Sequence, residues 1–408
     1  MHRHPMPRAR VLLNCKVPVN ATCLRPIVRW LRRDAQFSLT LTSRYRGTRL
    51  RPGRLLRALP PSHRIFHGIP VIPHFIASRM RFDLYLSPDM AMPGSRRCAQ
   101  TVHLFHGVSF KGASISPQAL AYSHLFLFGE YHRRRFVEKG ITTADDPRFE
   151  MIGFPKIDCL VDGSLTVKGV RGKMGIGEDR RVVLYAPTWR GTSLETDGET
   201  IIETLAAMDV HLILKLHDHS LDPGLSRGRW QRRLEAWRER EGITVWDDPD
   251  ICPAMMAADL LVSDFSSATN EFTLLDRPIV FFETPDLTAS YSAKQIDHAM
   301  LERRPGRVVE SPAALPEAVT HALENPGEFH GERRALARDL FHRPGSAQHR
   351  AVKRIHEMMG IEPFLPTQWA IDAAQRDSEA RERAEAEEDL TVTPFSERGR
   401  YPGQGPMT

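Results

Sequence analysis

The sequence predicts an α/β protein of two doubly wound domains facing a cleft. Three features carry that expectation. Two successive series of short apolar strands alternate with helical periodicity, a Gly/Lys/Asp-rich break separates them at 161–179, and a serine-headed helix follows a buried strand at Leu260–Val262. With 408 residues, 41% of them hydrophobic, the chain has material for two cores and appendages. It divides into residues 1–165, residues 175–362 including closing helices, and a low-complexity tail at 366–408.

In the first series, Val11–Asn14, Phe37–Leu41, Asp83–Ser87, Val102–Phe105, Leu125–Phe128 and Phe149–Ile152 read as strands. Leu24, Ile27, Val28 and Leu31 recur at helical spacing, and Glu130–Lys139 reads as a helix closed by Gly140. Little periodicity survives between Val161 and Asp179, which reads as a linker. The second series has strands at Val182–Tyr185, His211–Leu216, Ile243–Trp246, Leu260–Val262 and Ile279–Phe282. Its helices are expected at Glu199–Met208 and Arg229–Glu241, and further helices at Ala313–Glu324, Glu332–His342 and Ala347–Met359 close the fold. Residues 370–389 are rich in Ala, Arg and Glu without an apolar stripe, so a solvated helix followed by disorder is expected.

Five cysteines form no CxxC pair, and their odd number suits a reducing cytoplasm. The N-terminal apolar run stops at Leu13, too short for a signal peptide, and no run approaches the roughly 18 apolar residues of a membrane span. A soluble or peripheral protein is expected. The net charge of +6 hides an asymmetry, because residues 1–65 hold fifteen Lys/Arg against one acid, Asp34. Such an arm suits an anionic surface, either bilayer or nucleic acid, and equally a solvated arginine face. Basic-interleaved aromatics of a base-stacking surface are missing from it, which argues against specific nucleic acid.

Ser266 and Ser267 open the helix after Leu260–Val262. Serines there cap orphan N–H groups and leave a small polar mouth for an anion, although an ordinary capped helix starts the same way. His106 follows an apolar strand and precedes Gly107, a place for a general base or for a hydrogen-bonded structural histidine. His103, on the opposite side of that strand, reads as structural, and Lys111 adds a basic loop downstream. Lys215 and His217 are expected on one strand face, where they would neutralise a diphosphate or simply be surface charge. His219 reads as exposed. In the Pro187–Arg190 turn, Thr188 offers a hydroxyl and Arg190 a guanidinium fork for phosphate. Glu271 is a ribose acceptor or a helix-surface carboxylate. Gly153–Asp158 reads as a rigid hinge. No G-x-S-x-G, phosphate-loop or HExxH pattern occurs, and no metal site is predicted.

Four motifs in order resemble one family: His106-Gly107 with Lys111, Gly153-Phe-Pro-Lys-Ile-Asp158, Leu184-Tyr-Ala-Pro-Thr-Trp-Arg190, and Ser263-Asp-Phe-Ser-Ser267 running to Arg277-Pro278. The chain is similar over about residues 100–350 to the CDP-glycerol glycerophosphotransferases, the teichoic-acid primases and polymerases. The resemblance implies a GT-B architecture of two Rossmann-like domains and peripheral attachment to the anionic inner face of the plasma membrane. It implies transfer of glycerol phosphate from CDP-glycerol to a lipid-linked acceptor with release of CMP, and no built-in cofactor. By resemblance His106 is the base and His217 assists at the phosphate, while Ser266, Ser267, Thr188, Arg190 and Lys215 hold the donor phosphates. Glu271 and Arg350 would meet the nucleotide, with Gly107 and Lys111 on the acceptor side. This chain has Asp218 where the family usually has proline, and Glu271 where it has aspartate. Two other readings remain open: a nucleotide-sugar glycosyltransferase or epimerase of the same fold, and a basic nucleic-acid-binding protein.

Overall fold

In the computed structural model, residues 8–15, 17–43, 66–90, 97–108, 115–189, 192–221, 229–283 and 297–389 are described. Lys111 and Arg190, nine of the fifteen Lys/Arg of the N-terminal arm and the end of the tail lie outside the described residues. The first sheet contains β1 (Ala9–Asn14), β2 (Phe37–Ser43), β3 (Val71–Pro73), β4 (Phe82–Ser87), β5 (Cys98–His103), β6 (His124–Leu127) and β7 (Phe149–Met151). Its order is β3-β2-β1-β4-β5-β6-β7 and every pairing is parallel. The second contains β8 (Val182–Tyr185), β9 (His211–Leu214), β10 (Ile243–Val245), β11 (Leu260–Ser263), β12 (Ile279–Phe282) and β13 (Arg307–Val309). It runs β10-β9-β8-β11-β12-β13, again all parallel. These are two doubly wound sheets. The strand order reverses between β1 and β4 and between β8 and β11, where loops splay apart and ligands of such sheets bind.

Strands β8, β11 and β12 are buried along their length because helices cover both faces of a parallel sheet. The short edge strands β3 and β13 have no counterpart in the sequence reading. Three residues, one of them Pro73, give too little alternation to stand out. Helix Pro18–Leu31 buries the expected stripe of Leu24, Ile27, Val28 and Leu31, with proline at its first position.

Two expectations are corrected. The segment read as a linker contains a helix, Val167–Met174, capped by Thr166 and closed by Gly175 at φ 71°. Its Arg171, 5% exposed, donates from Nε to the Ala257 carbonyl at 2.9 Å, tying the helix to the second domain. The tail helix begins at Leu365 and is not wholly solvated. Ile371, Ala374 and Ser378 are buried, and Ile371 joins Val352 and Ile355. Alanine and serine at that spacing gave no apolar stripe to read.

The helix Ala347–Met359 returns to the first domain. Its Ala351, Val352 and Ile355 share a cluster with Val11, Leu13, Leu24 and Ile27. Asp158, 1% exposed, accepts from the backbone N–H groups of Gly345, Ala347 and Gln348 at 2.8, 3.1 and 2.7 Å, satisfying the start of this helix. Burial lifts its carboxyl to about 7, while those donors and Arg350 pull it down. A second apolar cluster runs without a break from Leu12, Phe105, Phe128 and Phe154 to Leu184, Leu261, Phe272 and Phe281 of the other domain.

Within that cluster His132 lies 4.9 Å from the Phe128 ring and 4.8 Å from Phe105, and neither ring nitrogen has a partner among the described residues. Burial pushes its pKa down to about 3. The unfolded chain therefore binds a proton below about pH 6.5 that the folded chain refuses, so this group costs stability as pH falls through that window. His132→Phe is expected to stabilise the fold, by about 2 kcal/mol more at pH 5 than at pH 7.5. Denaturant unfolding at the two pH values measures the difference. An equal gain at both would mean that the native ring takes up a proton as readily as the unfolded one.

Candidate active site

The second domain presents the carboxyl ends of β8, β9 and β11 side by side. After β8 the chain turns through Ala186-Pro187-Thr188, and the turn is held by Asp264, which follows β11. Asp264 Oδ1 accepts from the Thr188 backbone N–H at 2.8 Å, and Oδ2 accepts from Ser193 Oγ at 2.6 Å. Ser263 Oγ donates to the Ala186 carbonyl at 2.6 Å. These bonds lock the two loops flanking the strand-order reversal. Thr188 is 4% exposed and its Oγ1 has no partner among the described residues. Ser266 caps the helix Ser267–Phe272, its Oγ accepting from the Ala268 N–H at 3.2 Å.

Strand β9 ends at Leu214, two residues earlier than expected, so Lys215 and His217 stand on the following loop and do not share a strand face. Lys215 is 6% exposed, and its Nζ donates to the Leu216 carbonyl at 3.1 Å. His217 Nδ1 accepts from the His219 N–H at 3.1 Å, which leaves the proton of the neutral ring on Nε2. Trp189 packs against both histidines, with ring centroids 5.9 Å from His217 and 4.5 Å from His219. His219 is thus half-buried on an indole rather than exposed.

In the first domain β5 stops at His103, short of the expected Phe105. His103 is structural. It is 1% exposed, bonded through Nδ1 to the Ser87 carbonyl at 3.0 Å and stacked on Tyr122, and burial pushes its pKa down to about 3. Phe105 then adopts φ 55°, a left-handed conformation held by its complete burial among His103, Phe128 and His132. That turn throws His106 outward to the surface. Its Nδ1 lies 2.9 Å from the Pro88 carbonyl, which only accepts, so Nδ1 carries the hydrogen and Nε2 presents its lone pair.

The two domains meet at Gly107. A methyl group added there would come within 3.3 Å of Ser267 Oγ and 3.9 Å of Glu271 Oε1. The loop that carries His106 and the serine-headed helix are therefore neighbours across the domain boundary. Glu271 is not a helix-surface carboxylate. It is 1% exposed, and its Oε2 accepts from the buried Lys156 Nζ at 2.7 Å. Arg350 stands at the joint, where Nε donates to the Ile152 carbonyl, Nη1 to Ser346 Oγ, and Nη2 to the His342 and Arg343 carbonyls. The structure thus gathers His106, Gly107, Ser266, Ser267 and Glu271. It sets Thr188, Lys215 and His217 along the adjoining rim and Arg350 behind them. Sequence reasoning missed Asp264, Trp189, Asn270 and Lys156, of which only Asp264, between a strand end and a cap, carried a positional signal. Among the described residues no group of three or more His, Cys, Asp or Glu could hold a metal ion.

The chain is similar to known proteins both in fold and in sequence. In fold, the chain superposes on the wall teichoic acid polymerase TagF soaked with CDPG at a TM-score of 0.60, covering 86% of this chain and 88% of that one at 15% identity. It also matches the UDP-GlcNAc 2-epimerase of Methanocaldococcus jannaschii at a TM-score of 0.56 and 13% identity, over 86% and 99% of the two chains. Both likenesses place it in the GT-B fold. In sequence it is 26% identical over 184 residues to a teichoic acid glycerol-phosphate transferase of Staphylococcus aureus, covering 43% of this chain and 46% of that protein. It is 27% identical over 162 residues to a teichoic acid glycerol-phosphate primase of Bacillus spizizenii, covering 39% of each. The chain spans less than half the length of these relatives. The model of the CDP-glycerol:poly(glycerophosphate) glycerophosphotransferases matches residues 129–357, more than half of the chain, so the protein belongs to that family.

Proposed function

We propose that this protein is a phosphotransferase that moves glycerol phosphate from CDP-glycerol to a hydroxyl of a lipid-linked acceptor and releases CMP, in the synthesis of a cell-surface polymer. One observation carries the reading: in a member of this family, the loop bearing an exposed imidazole with a lone pair on Nε2 comes up against a serine-headed helix across the domain boundary at Gly107. His106 Nε2 takes the proton of the acceptor hydroxyl as its oxygen attacks the β-phosphorus. The bond from that phosphorus to the bridging oxygen breaks, and the electron pair leaves on CMP. Ser266, Ser267 and the N–H groups at the helix start face the phosphoryl oxygens, and His217 Nε2–H and Lys215 offset the charge that develops on the leaving group. Glu271 and Arg350 keep the nucleotide role that the resemblance implies only if ligand binding redirects their present partners.

The acceptor would be met at the inner face of the plasma membrane. Among the described residues no helix is long and apolar enough to cross a membrane, while Arg29, Arg32 and Arg33 form an exposed basic face on the first domain. Incubation with CDP-glycerol, CDP-ribitol and UDP-sugars, with and without anionic phospholipid vesicles, tests the reading. CMP release from CDP-glycerol is expected, faster on vesicles. UDP release in its place would make the protein a nucleotide-sugar enzyme, and indifference to vesicles would remove the membrane surface.

A further inference from the structure

The helix Ser267–Phe272 belongs to the second domain by sequence and by sheet, yet its firmest polar contacts are with the first. Asn270, 1% exposed, donates from Nδ2 to the Val108 carbonyl at 2.9 Å. Glu271 bonds Lys156, which stands on the turn Pro155–Leu160 after β7. A side chain at Gly107 would meet Ser267 Oγ at 3.3 Å, so the loop and the helix also pass close together there. Two buried polar contacts and this close approach therefore pin the helix to the loop 106–108 and to the turn behind it.

The ionic contact is fully enclosed: Lys156 and Glu271 side chains are 6% and 1% exposed. Such a pair adds little net stability compared with apolar side chains of the same size, because desolvation offsets its attraction. What it does supply is a fixed relative placement of two elements. A buried amide bonded to a backbone carbonyl does the same, since any sliding leaves both groups unsatisfied. The ammonium has a second consequence. It neutralises the Glu271 carboxylate, which lies one turn inside the serine-headed helix.

We infer that Asn270 and the Lys156–Glu271 pair are positioning residues, an interdomain clamp that presets His106 opposite the serine-headed helix before any substrate arrives. At this corner the two domains are already joined, and any closure of the cleft pivots about it. The catalytic consequence rests on the function proposed above. The clamp itself does not.

Asn270→Ala is the sharpest variant, because Asn270 touches neither His106 nor Ser267 through its side-chain amide. Two measurements are paired: steady-state CMP release from CDP-glycerol, and hydrogen exchange at the 106–108 amides in the ligand-free protein. The clamp predicts that kcat falls about tenfold, that KM for the donor changes less than twofold, and that the 106–108 amides exchange faster. Lys156→Met should repeat this pattern and Lys156→Arg, which keeps the charge, should restore most of kcat. A normal kcat in Asn270→Ala overturns the positioning role, as does a loss confined to KM. If the wild type fails to release CMP, the function reading has failed, and the exchange data decide the clamp alone: faster exchange in Asn270→Ala upholds it, and unchanged exchange overturns it.

Discussion

Replacing His106 with alanine is expected to reduce CMP release from CDP-glycerol by about 10²–10⁴-fold, the range set by loss of a positioned general base. The melting temperature should hardly move. His106 is exposed, and its ring is held only at the surface, by the Pro88 carbonyl. The neighbouring histidines provide the contrast. His103 and His132 are buried in the aromatic cluster with pKa values pushed down to about 3, so neither reaches an acceptor hydroxyl, and their replacement should alter stability far more than rate. Initial rates at saturating donor for His106→Ala and His103→Phe separate the roles. A loss below tenfold at position 106 would leave the base to be sought elsewhere on the rim. Glutamine at 106 preserves a polar contact to Pro88 but no basic nitrogen, so it should be as slow as alanine.

The architecture was largely readable from periodicity. Apolar runs bounded by turns gave every central strand, and two βα series gave two sheets. Only β3 and β13 escaped; each is a three-residue edge whose short apolar pair is broken by Pro73 or opened by Arg307. Individual site residues were legible where they end a strand or begin a helix, as His106, Ser266 and Ser267 do. Contacts between distant segments were not. Lys156 and Glu271 are 115 residues apart, Asn270 and Val108 are 162 apart, and nothing local to either partner announces the other. The same limit explains Arg350, which the resemblance assigned to the nucleotide while its fork serves carbonyls of the joint. It also explains the linker. A helix of eight residues with two glycines inside has little periodicity of its own and is held by a buried arginine. A single sequence shows which residues have unusual chemistry. Where the chain brings them together is a property of the fold.

Gly153→Ala is expected to destabilise the domain joint strongly. Gly153 has φ 87°, where a side chain strains the backbone by about 1–2 kcal/mol. The added carbon would also lie 2.5 Å from the His342 carbonyl oxygen and 2.8 Å from Arg350 Nη2. Neither neighbour yields easily. The His342 N–H is bonded to the Phe128 carbonyl, its own carbonyl accepts from Arg350, and Arg350 also holds the Ile152 carbonyl next to the mutated residue. Relieving the clash therefore breaks at least one buried charged hydrogen bond, worth about 1.5–3 kcal/mol. A total near 3–5 kcal/mol follows from the two costs. At about 2–4 °C per kcal/mol for domains of 150–250 residues, the melting temperature should drop roughly 6–20 °C. Gly140→Ala supplies the control, since Gly140 has φ 62° and nothing within 4 Å of the added carbon. It should lose only the backbone strain. If the two variants melt within about 2 °C of each other, the close approach at Gly153 is not what fixes the return of the 347–359 helix to the first domain, and Asp158 at the helix start must hold that joint without it.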